Sequence, residues 1–136
     1  MADQKISVLF VCLGNICRSP MAEAVFAHTI KLKSKSHFFR IDSAGTGEWH
    51  VGAPPDPRSV KTCKKHNVPV NTFARQITKG DFHEFDYILL KLFGDYDPEG
   101  DRYIRDPYYG GIDGFEKNFQ QVTRCSEAFL LHLNII

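Results

Sequence analysis

With 136 residues, 43% of them hydrophobic and 24% charged, the chain has the composition of one ordinary soluble domain, residues 1–136, with no room for a second. A formal net charge of +1 gives no overall pull toward nucleic acid or an anionic membrane, so any anion selectivity must be local. The apolar stretch Ile6 to Cys12 is too short to span a bilayer and carries no signal-peptide pattern, which predicts a cytoplasmic protein without membrane insertion.

In chain order, Ile6-Ser7-Val8-Leu9-Phe10-Val11 is a β-branched, almost wholly apolar run, expected as a strand buried on both faces of a parallel sheet. After the turn Cys12-Leu13-Gly14-Asn15, Ser19 and Pro20 read as the N-cap and first residue of a helix. Its inward stripe is Met21, Ala22, Val25, Phe26, Thr29 and Leu32. Phe38 to Asp42 is a second strand, followed by a loop from Ser43 to Pro55. Asp56-Pro57 caps a helix that runs to about His66 and stops at Asn67 and Pro69. Thr78 to Asp81 forms a capping box, and Phe85 to Leu90 is a third strand. Asp113 caps a long helix whose Phe115, Phe119, Val122, Ser126, Phe129, Leu130 and Leu133 recur at helical spacing. Strands alternating with helices predict an α/β fold of three layers, a parallel sheet with helices on both faces.

The segment Cys12-Leu13-Gly14-Asn15-Ile16-Cys17-Arg18-Ser19 sets a cysteine and an arginine six positions apart between a strand end and a helix start. A loop entering a helix N-terminus presents unpaired N–H groups and the positive end of the helix dipole, a cradle for a dianion. The same field favours the thiolate of Cys12, which is then a nucleophile. Arg18 can grip two phosphoryl oxygens with its planar fork, and Ser19 can donate to the Cys12 sulfur. Gly14 and Asn15 tolerate the positive φ that such a loop needs.

A phosphocysteine route also needs an acid for the leaving group, and Asp106, in Arg105-Asp106-Pro107-Tyr108-Tyr109-Gly110, is the best candidate. Tyr108, Tyr109 and Trp49 could wall an aryl phosphate. Cys63 and His66 lack further ligands at suitable spacing, so no metal is expected. Cys63 and Cys125 read as core, and cysteines flanking a glycine loop suit a reducing compartment.

Around these residues the chain resembles the low-molecular-weight protein tyrosine phosphatases over nearly its whole length. The matching segments are Val8 to Phe26, Asp42 to Thr46, Trp49-His50 through Pro54-Pro55-Asp56, Ala74 to Lys79, Phe85 to Leu89 and Asp106 to Gly110. The resemblance implies that Cys12 is the nucleophile, Arg18 the phosphate ligand and Asp106 the general acid. Asn15, Ser19 and Ser43 would tie the loop together, and Leu13, Gly14, Ile16 and Cys17 would complete the substrate cradle. It also implies Cys17 as a redox partner of Cys12, Tyr108 and Tyr109 as phosphorylation sites, phosphotyrosine proteins and small aryl phosphates as substrates, no cofactor and a monomer.

The chain departs from that family after Leu90, where it lacks roughly two dozen residues that usually hold a helix and a connection. A parallel crossover needs about a dozen residues, so the sheet is expected to have three strands rather than four, with apolar sheet surface uncovered. Thr72 stands where the family often has a histidine. Two alternatives remain open at this point: a catalytically weak phosphotyrosine-binding variant and, more remotely, an arsenate reductase.

Overall fold

The computed structural model describes residues 5–70, 72–89, 96–99 and 112–135. Strand β1 (Ile6–Cys12) lies at the centre of a parallel sheet, between β2 (Phe39–Gly45) and β3 (Tyr87–Leu89). Among the described residues the sheet thus has three strands. Val8 pairs with Ile41 on one side and Tyr87 on the other, and the β1–β2 ladder runs through to Cys12 opposite Gly45. The helices are α1 (Arg18–Leu32), α2 (Pro57–Lys65), the single turn α3 (Asp81–Glu84) and α4 (Ile112–His132).

Side chains alternate across β1, so its two faces enter two cores. Val8 and Phe10 face the larger one, built with Met21, Val25 and Phe26 of α1, Cys63 of α2 and Phe115, Phe119, Val122 and Phe129 of α4. Phe129 is its hub: its ring meets Phe26, Tyr87 and Tyr96 with centroids 5.9, 5.2 and 5.0 Å away. Leu9 and Val11 face the smaller core, closed by Ala44 and Phe85 with Ile77 and Ile88 against it. The expected exposure of sheet surface therefore does not occur at Leu9, Val11 or Ala44, all of which are buried. Tyr96 and Asp97 are fixed on α4, where Arg124 holds the fully buried Asp97 carboxylate through two 2.9 Å bonds.

Three helices end alike. Ser34, Asn67 and Asn134 take positive φ of 57°, 62° and 60°, and the next residue's N–H reaches back to Ile30, Cys63 and Leu130. This left-handed stop satisfies carbonyls that the last turn would otherwise leave bare.

Several expected boundaries shift for local reasons. The first helix opens at Arg18, with Cys17 as its flanking residue and no side-chain cap, because the Ser19 hydroxyl is engaged elsewhere. Pro20 still falls in the first turn, where its missing N–H costs little. Leu32 lies 72% exposed rather than inward. The second strand continues to Gly45, beyond the expected end at Asp42. The third begins only at Tyr87; just before it the Asp86 N–H donates to the Ser7 carbonyl at 3.0 Å, and the Asp86 carboxylate accepts from the Ser7 N–H at 2.9 Å. The last helix starts at Ile112, so Asp113 lies inside it rather than before it. The capping box forms as expected: Thr78 N–H donates to Asp81 at 2.7 Å, and Asp81 N–H to the Thr78 hydroxyl at 3.3 Å.

Because Phe129 joins α1, α4 and the sheet, Phe129→Ala is expected to cost about 3–5 kcal/mol of unfolding free energy, measured by urea denaturation. A loss below about 1 kcal/mol would mean that the core closes over the gap.

Candidate active site

The loop from Cys12 to Arg18 joins the end of the central strand to the start of α1, so both of its ends are anchored. Its carbonyls are turned outward onto three other segments. The Cys12 and Leu13 carbonyls accept from Thr46 and Gly47 N–H at 2.9 and 2.8 Å, and the Ile16 carbonyl accepts from Asp56 N–H at 2.7 Å. The Cys17 carbonyl accepts from the Ser59 hydroxyl at 3.2 Å. In a planar trans peptide the C=O and the following N–H point in opposite directions. The N–H groups of Leu13, Gly14, Cys17 and Arg18 are thereby aimed away from these supports, as an oxyanion cradle requires.

Asn15 holds this shape. Its backbone is left-handed, with φ of 57°, and its N–H donates to the Cys12 sulfur at 3.2 Å. Its buried carboxamide donates to the Ser19 and Ser43 hydroxyls at 2.8 and 3.0 Å and accepts from Arg75 N–H at 3.0 Å. The Ser19 hydroxyl in turn lies 3.1 Å from the Cys12 sulfur. The cysteine, asparagine and both serines expected from the sequence are therefore brought together, with Arg18 on the first turn of α1.

Gly14 is used differently from the expectation. Its φ is not positive; rather, a Cβ there would stand 2.9 Å from the His50 ring. The stricter glycine is Gly45, where a Cβ would meet the Leu13 carbonyl oxygen at 2.9 Å and Asn15 N at 3.1 Å. The strand end and the loop pass too close for any side chain.

Residues outside the motif complete the support. Arg75 places its guanidinium on Asp81 through two bonds of 3.0 and 3.1 Å and on Asp42 at 3.1 Å. The Arg75 hydrogen bonds outweigh burial and hold the Asp81 carboxyl below its ordinary range. Asp56 is also lowered: burial opposes ionisation, but hydrogen bonds from the Arg58 side chain and backbone, and from the Cys17 thiol, outweigh it. Glu23, one turn beyond Ser19 on α1, accepts from the Ser43 hydroxyl at 2.6 Å. Nothing in the local letters around Glu23 marks it, because its partner is 20 residues away.

Leu13 and Trp49 are exposed, 51% and 72%. Asp106, Tyr108 and Tyr109 lie outside the described residues. Among those described, no group of three His, Cys, Asp or Glu side chains could hold a metal ion, and no helix is long and apolar enough to cross a membrane. His66 instead stacks on Phe119 and bonds Glu116 at 2.8 Å.

The close approach at Gly45 makes it a test of loop geometry: Gly45→Ala should lower inorganic phosphate affinity and kcat/KM by roughly tenfold or more in a protein whose circular dichroism is unchanged. Unaltered phosphate binding by calorimetry would show that the loop can yield there.

A family model described as low molecular weight phosphotyrosine protein phosphatase matches residues 7–91, ending where the sequence departs from expectation. The human low molecular weight phosphotyrosine protein phosphatase is 45% identical over 154 aligned positions, covering 96% of this chain and 98% of the relative. Those positions outnumber the 136 residues of the chain, so the relative carries residues that this chain lacks. A protein tyrosine phosphatase of Entamoeba histolytica superposes with a TM-score of 0.92 at 32% identity, covering 96% of this chain and 97% of that one. A Drosophila arginine phosphatase does so with a TM-score of 0.87 at 34% identity, covering 93% and 96%. The chain belongs to the low molecular weight phosphotyrosine protein phosphatase family, a family of enzymes.

Proposed function

We propose that the chain hydrolyses phosphotyrosine in proteins, and small aryl phosphates, through a covalent cysteinyl-phosphate. The observation that carries this reading is the Cys12 sulfur at the floor of the loop, receiving the Asn15 N–H at 3.2 Å with the Ser19 hydroxyl at 3.1 Å. Both contacts hold that sulfur at one point of the loop, where a nucleophile would meet a phosphoryl group.

In the first step the Cys12 thiolate attacks phosphorus opposite the phenolic oxygen. The S–P bond forms as the P–O bond breaks, and Asp106 gives its proton to the departing phenolate. Inward N–H groups and the Arg18 guanidinium hold the equatorial oxygens, and their grip tightens as charge spreads in the transition state. In the second step the Asp106 carboxylate takes a proton from water, whose oxygen attacks phosphorus and releases phosphate and the thiolate. The exposed Trp49 indole would stack on an aryl leaving group. The chemistry calls for no metal or organic cofactor. The aromatic rim favours phosphotyrosine over phosphoarginine as substrate.

The reductase alternative finds no support in Cys63: burial, with the Glu116 charge adding to it, pushes that thiol up to about 12, so it stays protonated and unreactive. A non-catalytic phosphotyrosine binder would share the loop and differ in turnover. Oxidation of the Cys12 sulfur by a peroxide to a sulfenic acid, followed by attack of the Cys17 sulfur with loss of water to give a Cys12–Cys17 disulfide that a dithiol can reduce, belongs to the same proposal; it would require the Cys17 thiol to leave Asp56.

Quenched-flow hydrolysis of p-nitrophenyl phosphate at mildly acidic pH in EDTA tests the reading, with phosphoarginine as a parallel substrate. A nitrophenolate burst stoichiometric with enzyme is expected, abolished in Cys12→Ser, with turnover lowered about 10²–10⁴-fold in Asp106→Ala. A folded protein that binds vanadate but gives no burst would be a binder, and the catalytic proposal would fall.

A further inference from the structure

The donors and acceptors that support the loop fix one another's direction. The Asn15 carboxamide has two N–H bonds, and both are committed, one to the Ser19 hydroxyl and one to that of Ser43. Each hydroxyl is therefore an acceptor toward Asn15 and has one proton left to give. That of Ser19 has the Cys12 sulfur at 3.1 Å, with the Ala44 carbonyl farther off at 3.4 Å. That of Ser43 has the Glu23 carboxylate at 2.6 Å. Two hydrogen-bonded paths thus leave one amide and end on two acidic groups, the thiol of Cys12 and the carboxyl of Glu23.

We propose that Glu23 is a positioning residue for the nucleophile: by taking the Ser43 proton it keeps the Ser43 lone pair toward Asn15, and so holds the amide in the sense that frees the Ser19 proton for Cys12. Were the amide turned over, its NH2 would face the Arg75 N–H, donor against donor, and its oxygen would draw the Ser19 proton away from sulfur. Without an acceptor at position 23, the buried Ser43 proton has every reason to seek that oxygen.

The surroundings of Glu23 make this support sensitive to protons. Burial lifts its carboxyl from 4.5 to about 6; the Ser43 hydrogen bond opposes this, the Asp42 charge adds to it and the Arg75 charge opposes it. Glu23 also lines a groove of about 220 Å³ with His28 and Lys31 of α1 and with Pro69, Val70 and Thr72. Because the folded-state value is raised, the stabilising contribution of Glu23 is complete below about 4.5 and lost as pH rises through about 6. At neutral pH the carboxylate therefore opposes folding while it supports the loop.

The inference rests on Cys12 as the nucleophile, and its test needs no turnover. The rate of Cys12 alkylation by iodoacetamide, assigned by mass spectrometry, is followed against pH in the wild type, Glu23→Gln, Glu23→Ala, Ser43→Ala and the Glu23→Ala/Ser43→Ala double variant. At neutral pH, Glu23→Ala should react roughly threefold to tenfold more slowly. The wild-type profile should contain a step near pH 6 that Glu23→Gln lacks. In the double variant the loss should be no greater than in Ser43→Ala alone. The Tm of Glu23→Gln at neutral pH should equal or exceed that of the wild type, which separates positioning from a simple structural role. Unchanged alkylation in a folded Glu23→Gln and Glu23→Ala pair, or a Glu23→Ala loss that persists in full without the Ser43 hydroxyl, would overturn the proposal. Hydrolysis of p-nitrophenyl phosphate measured alongside keeps the two readings apart: absent turnover with the alkylation pattern intact removes the phosphatase reading and leaves the Glu23 path standing.

Discussion

The site depends on one carboxamide, that of Asn15, whose polar atoms are all satisfied by fixed partners. It reaches Ser19 on α1, Ser43 on β2 and the backbone of Arg75, so three segments far apart in sequence are held to one loop. A buried amide with every bond made is rigid, because any rotation leaves a desolvated donor or acceptor bare. That rigidity is what lets a flexible cysteine loop present its N–H groups in advance, before any ligand arrives to organise them. The left-handed backbone at Asn15 belongs to the same requirement, and asparagine is among the few side chains that accept it at small cost.

Around this amide the load is distributed unequally. The central strand delivers Cys12 with a register fixed on both sides, and the large core behind Phe10 keeps α1 from sliding against the sheet. On the opposite face the smaller core is closed by the segment that carries Arg75, Ile77 and Phe85. Arg75 serves both purposes at once: its backbone extends β2 through Gly45 and braces Asn15, while its guanidinium gathers Asp42 and Asp81. The chain beyond β3 returns to α4 at Tyr96 and Asp97, and the Asp97–Arg124 pair is buried enough on its carboxylate side to count as a fixed joint.

The sequence made the central strand and the long last helix easy to read, since a continuous apolar run and a seven-residue helical stripe each admit one arrangement. Ser19 shows the limit of such reading. A serine before a proline and an apolar stripe spells a helix cap whether its hydroxyl turns to a backbone N–H or to a cysteine sulfur, and only the strand beside it decides. Gly14 and Gly45 show another: letters alone place positive φ at the glycine in the motif, whereas the crowded glycine is the one a strand away. Asp86 is tied to the central strand by a side-chain bond to a residue 79 positions earlier, which no local pattern encodes. Glu23 was hidden for the same reason, its identity as a loop support depending on where β2 comes to lie.

The outward-turned carbonyls of the loop also set the order in which the site can come into being. Their partners and those of Asn15 span Thr46, Asp56, Ser59 and Arg75, and Arg75 is itself held by Asp81. The eight letters from Cys12 to Ser19 leave the ribosome first, yet they describe an oxyanion cradle only after some sixty further residues have been joined and folded back. A fragment cut short of Arg75 would keep the motif letter for letter and hold no site, so the phosphate loop is a property of the assembled sheet rather than of the segment that names it.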